Sequence, residues 1–64
     1  MDKLLEVVLK EIRERRMFVV DNLAGGNLKD FSEYQKLCGE IRGYSLIEGY
    51  ILDLARQLEH SDDE

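Results

Sequence analysis

The chain contains no proline, and its only consecutive glycines are Gly25 and Gly26. Proline is the strongest breaker of a helix, and paired glycines relax the backbone enough for a tight reversal. One turn at Gly25-Gly26-Asn27 therefore separates two long segments. Residues 2–24 hold neither glycine nor proline, and apolar side chains recur at Met1, Leu5, Val8, Ile12, Val19 and Leu23, with Leu4, Leu9 and Val20 widening the stripe. Spacings of three, four or whole turns predict a helix over 2–24. Glu6–Lys10 and Glu11–Arg15 place acid before base at i,i+4, each pair adding about 0.2–0.5 kcal/mol. Gly25 fits the left-handed position just past the helix end.

The second helix has two candidate starts. Asn27 is one; Asp30, followed three residues later by Glu33, makes a capping-box-like pair and is the preferred start. From there the apolar pattern runs unbroken to about Glu59, predicting a helix over 30–59. The expected fold is all-α, a two-helix antiparallel hairpin over residues 1–60 with an acidic disordered tail at 61–64, completed by oligomerisation or a partner. At about 1.5 Å per residue the helices measure roughly 34 and 45 Å. The longer one is expected to overhang the shorter at its C-terminal end with an apolar surface.

Composition narrows the function. Sixty-four residues fall below the roughly 70–80 at which one core stabilises a domain comfortably. A single cysteine, Cys38, supports neither a disulfide framework nor a cysteine-rich zinc site, and on a helix beside Leu37 it reads as a small buried hydrophobe. No apolar run approaches the roughly 18 residues of a membrane span, and Met1-Asp2-Lys3-Leu4 does not read as a secretory signal. His60 beside Asp62 and Asp63 is not a metal site, and no Ser, Cys or His constellation suggests catalysis. Gly25-Gly26 lacks the preceding strand and following lysine of a phosphate loop. The expectation is a non-enzymatic protein with no cofactor or metal.

The net charge is −5. Lys10, Arg13, Arg15 and Arg16 form a basic cluster, the one feature that points to nucleic acid. Glu11 and Glu14 interleave it, no aromatic platform accompanies it, and residues 21–64 carry ten acids against four bases. A solvated helix face paired with the acidic second helix is the reading preferred over nucleic acid.

The second helix carries two apolar faces. Tyr34, Leu37, Ile41, Tyr44, Ile51, Ala55 and Leu58, interrupted by Glu48, form the one expected to pack on helix 1. Gly39, Gly43, Leu46, Ile47, Tyr50 and Leu54 form the other, which a two-helix hairpin leaves uncovered. These six are the expected partner-binding residues. Gly39 and Gly43, spaced GxxxG, and Gly49 each cost a helix about 1 kcal/mol relative to alanine, which calls for close approach or a kink. Tyr34 and Tyr44 are expected at the core edge and Tyr50 at an interface. Arg16 and Glu48 each interrupt an apolar stripe; a symmetric hairpin places them far apart along its axis, so an intermolecular pair or a target contact is expected.

The stretch Asp30-Phe31-Ser32-Glu33-Tyr34-Gln35-Lys36-Leu37-Cys38-Gly39-Glu40-Ile41-Arg42-Gly43, followed by Ile51-Leu52-Asp53-Leu54, resembles small all-helical proteins of tailed bacteriophages encoded among head and tail structural genes. The likeness covers residues 30–59 and rests on Tyr34, Leu37, Gly39, Glu40, Ile41, Gly43, Asp53 and Leu54. It implies a minor virion or assembly component, in the virion or the host cytoplasm. The partner it implies is a second copy, or a larger phage structural protein of the capsid, portal or tail. A regulator that binds and inhibits a host protein is the alternative.

Overall fold

The structure, a computed structural model, describes residues 1–61. It consists of α1, Lys3–Ala24, and α2, Phe31–Ser61, with no strand among the described residues. Asp2 starts α1: its carboxylate accepts from the backbone N–H of Leu4 at 2.8 Å and Leu5 at 3.2 Å, satisfying two donors that the first turn leaves open. Asp30 starts α2, as its spacing to Glu33 predicts. The Glu33 N–H donates to Asp30 Oδ1 at 2.9 Å, and the Glu33 carboxylate reaches back to the Lys29 N–H at 3.1 Å.

The reversal falls one residue later than expected. Gly25 keeps helical angles, and its N–H closes the last turn on the Asp21 carbonyl at 2.9 Å. Gly26, with φ 72°, is the left-handed residue. At the other end, α2 continues through His60 and Ser61; the remainder of the expected disordered tail, residues 62–64, lies outside the described residues.

The register differs more from expectation. Arg16 Nη1 lies 2.6 Å from Glu48 Oε1, so these two residues sit level. From that level α1 runs thirteen residues to Lys3 and α2 thirteen residues to Ser61, leaving the two helices flush. The Met1 amine lies 3.7 Å from the Glu59 carboxylate at this end. Toward the loop α1 has eight residues left and α2 has seventeen, a surplus of nine residues or about 13 Å. The overhang is therefore at the N-terminal end of α2, not its C-terminal end. A tight turn would level Ala24 with Phe31; instead residues 25–30 run back along α2. That same shift brings Glu48 level with Arg16, so the expectation that they cannot pair within one chain is overturned.

The helices meet along a seam with alternating spacings of four and three residues. Leu5, Leu9, Ile12, Arg16, Val19 and Leu23 line it on α1; Leu37, Ile41, Tyr44, Glu48, Ile51 and Ala55 line it on α2, and all twelve are buried or half-buried. This is the heptad geometry of an antiparallel coiled coil. Among the described residues, Leu9, Val19 and Ala55 alone are fully buried, at 5%, 7% and 4% exposed. Leu9 takes the place expected for Val8: a heptad on from Leu9 come Arg16 and Leu23, both half-buried, whereas a heptad on from Val8 come Arg15 and Asn22, both exposed. Tyr34 and Leu58, expected in the seam, are about half exposed, and Cys38 is half-buried rather than buried.

Candidate interaction face

A charged layer divides the seam. Glu48, with a side chain 18% exposed, accepts from Arg16 Nη1 at 2.6 Å, from Arg16 Nη2 at 3.4 Å and from Arg13 Nε at 2.5 Å. Arg16 Nη1 also lies 3.3 Å from the Ser45 hydroxyl. The hydrogen bonds from Arg16, then the one from Arg13, hold the Glu48 carboxyl down at about 2, and the bond to Glu48 raises Arg16 above its ordinary value. Two guanidiniums on one carboxylate place a charge where an apolar layer would otherwise sit, and they fix which residues lie level.

The same contacts account for the basic cluster. Arg13 and Arg16 are committed to Glu48, Arg15 lies 3.0 Å from Glu11, and Lys10 lies 4.0 Å from Glu14. Every cation in residues 10–16 thus has a carboxylate beside it.

Helix geometry then sorts the remaining surface into two sides. A residue one place before a seam position is rotated about 100° one way, and a residue one place after it about 100° the other. In an antiparallel pair of right-handed helices, the preceding positions of both helices fall on the same side of the hairpin. Arg13 and Ser45, which follow the seam residues Ile12 and Tyr44, meet around Glu48 on the opposite side, as this geometry requires.

The preceding positions include Leu4, Val8 and Phe18 on α1, and Gly43, Ile47, Tyr50 and Leu54 on α2. Their large apolar members are all exposed, from 38% at Val8 to 69% at Leu4. The charged members are Glu11, Arg15, Lys36 and Glu40, which cancel. One side of the hairpin is thus an apolar surface with no net charge, in a chain that carries −5 overall.

Of the six expected partner-binding residues, the structure brings Gly43, Ile47, Tyr50 and Leu54 onto this side. Gly39 and Leu46 lie on the side of α2 facing away from α1. Leu46, Ile47, Tyr50 and Leu54 are all exposed, and a Cβ added at Gly39, Gly43 or Gly49 would meet nothing within 4 Å. Contact between α1 and α2 therefore does not require these glycines, and α2 passes through all three as one helix. Leu4 and Val8 join the face from α1, where the sequence reading had assigned them to the internal stripe. The alternation of four and three from Leu5 to Leu23 was the signal that separates them.

No described helix is long and apolar enough to cross a membrane, and no group of three or more metal-ligating side chains occurs among the described residues. Near the loop, Phe31 and Tyr34 pack edge to face at 5.8 Å, and a hydrogen bond with Cys38 raises the Tyr34 hydroxyl above its ordinary value. Compared with protein families, curated proteins and solved structures, the chain finds no match in any of the three.

Proposed function

We propose that the chain is a non-enzymatic assembly protein of a tailed bacteriophage, docking through its apolar side on another helical surface, its own or that of a head, portal or tail protein. The observation that carries the docking role is the one-sided surface of Leu4, Val8, Ile47, Tyr50 and Leu54, exposed on a hairpin whose internal seam buries only Leu9, Val19 and Ala55 below a tenth. Small helical folds with so thin a core gain stability by covering such a surface. The setting rests on the resemblance of residues 30–59 to small virion and assembly proteins. The mechanism is apolar shape matching: Ile47, Tyr50 and Leu54 are buried on docking, and Gly43 lets a neighbouring backbone come close.

Copy number tests the reading. Quantitative mass spectrometry of purified particles is expected to find the protein at a fixed ratio to the major head or tail protein. A protein abundant in infected cells and lost from particles would overturn the assembly role, and would favour the regulator of a host protein.

A further inference from the structure

We propose that the apolar side binds a second copy of this chain, two hairpins stacking face to face as a four-helix bundle with both loops at the same end. The proposal deepens the docking role by naming the occupant.

Three observations point to a copy. A compact monomer of 7.5 kDa exposes about 4,250 Å² by mass scaling, and this chain exposes 5229 Å². The surplus, about 1,000 Å², matches the roughly 800 Å² that each partner contributes to a standard interface. Next, the charges on the face cancel in a chain of net −5, so the face favours neither a basic nor an acidic partner and suits one as neutral as itself. Finally, the face is two antiparallel helices wide, and the layer that covers such a surface is another pair of helices.

The distribution along the axis sets the orientation. The flush end of the hairpin is apolar on this side, with Leu4, Val8 and Leu54. The loop end of the same side carries Asn22, Lys36 and Glu40. With loops at the same end, α1 of one copy lies on α2 of the other, so Leu4 and Val8 meet Leu54. Every neighbouring pair in the bundle is antiparallel in either orientation, so the helix dipoles do not choose between them. With loops at opposite ends, the leucines would cover Lys36 and Glu40, whose desolvation opposes assembly.

The test uses the full chain in a sedimentation series from micromolar to millimolar, with circular dichroism on the same samples. The expected result is a particle of twice the 7.5 kDa mass, with a melting temperature that rises with concentration. Val8→Glu and Leu54→Glu should each weaken association at least tenfold, while Arg42→Gln on the other side should not. The concentration dependence of the wild-type melt keeps the test decisive if a face variant unfolds.

Nitroxide labels at Asn27→Cys, in a Cys38→Ser background, report the orientation. Loops at the same end predict a separation of about 15–25 Å from helix-packing distances, and opposite ends one beyond about 40 Å from helix length. A helical monomer at every concentration, a larger oligomer, or a dimer insensitive to both glutamate variants would overturn the proposal. A helical monomer would leave the docking role to a different protein, which particle copy number tests separately.

Discussion

The two sides of the seam differ in kind. Where Arg13 and Ser45 flank it, the seam is closed by polar contacts to Glu48 and Arg16; where Leu4, Val8, Ile47 and Leu54 flank it, the surface is apolar and exposed. The polar side sets which residues lie level, since only one register brings Arg13 and Arg16 to the same carboxylate. The apolar side gathers Leu4, Val8, Phe18, Ile47, Tyr50 and Leu54, all exposed, on one surface still open to burial. On the proposed docking role, register and assembly fall on opposite sides of a molecule two helices wide.

The largest effect is expected at the seam itself, because losing it removes both sides together. Leu9, 5% exposed, has no second layer to support a cavity. Leu9→Ala should cost about 2–5 kcal/mol, the range for a buried leucine, measured as lost helicity and a lowered melting temperature at fixed concentration. A shift no larger than that of an exposed-leucine substitution such as Leu46→Ala would contradict the seam assignment.

Next in size is the charged layer. Glu48→Ala leaves the two guanidiniums of Arg13 and Arg16 side by side on α1 with no carboxylate between them, and should lower the melting temperature by less than Leu9→Ala. The double change Arg16→Leu with Glu48→Leu removes the desolvated charges together and should melt at or above the wild type, as replaced ion pairs often do. Exchanging the charges, Arg16→Glu with Glu48→Arg, should recover stability only in part, because Arg13 then meets a second guanidinium.

Acid separates the sides without mutation. The Glu48 pKa is lowered from 4.5 to about 2 by its arginines, so its contribution to stability is complete above 4.5, declines as pH falls, and is gone below about 2. Glu48→Gln should flatten the dependence of melting temperature on pH in that window. An unchanged acid limb would place the acid sensitivity elsewhere.

How much of this was legible in the sequence follows from the range of each interaction. Helix existence and the Asp30 start depend on neighbours within four residues, and both were readable. Register depends on where a six-residue loop leads the chain, and neither helix length nor glycine position encodes that; hence the overhang was assigned to the wrong end and Arg16 was separated from Glu48. Val8 and Leu9 were exchanged because both fit between Leu5 and Ile12 at spacings of three and four; only the positions a heptad further on, Arg15 and Asn22 against Arg16 and Leu23, separate them. The face on α2 was readable as a second apolar stripe. Its continuation onto Leu4 and Val8 was not, since it appears only when two antiparallel helices are placed side by side.

The smallest expected effects draw the sharpest contrast between the sides. Gly43 precedes the seam residue Tyr44 and lies on the apolar side; Gly49 follows Glu48 and lies on the polar side. In the hairpin alone the two are equivalent, since a Cβ at either meets nothing within 4 Å. Alanine at either position should therefore stabilise the helix by up to about 1 kcal/mol, read as greater helicity at low concentration. Association should distinguish them. At Gly43 the added methyl group stands where a stacked helix approaches, so Gly43→Ala should raise helicity and weaken self-association together. Gly49→Ala should raise helicity and leave association unchanged. If both variants associate like the wild type, close approach at Gly43 is not how the face is covered. If Gly49→Ala is the one that dissociates, the copy sits on the side of Arg13 and Ser45, and the two sides have been assigned the wrong way round.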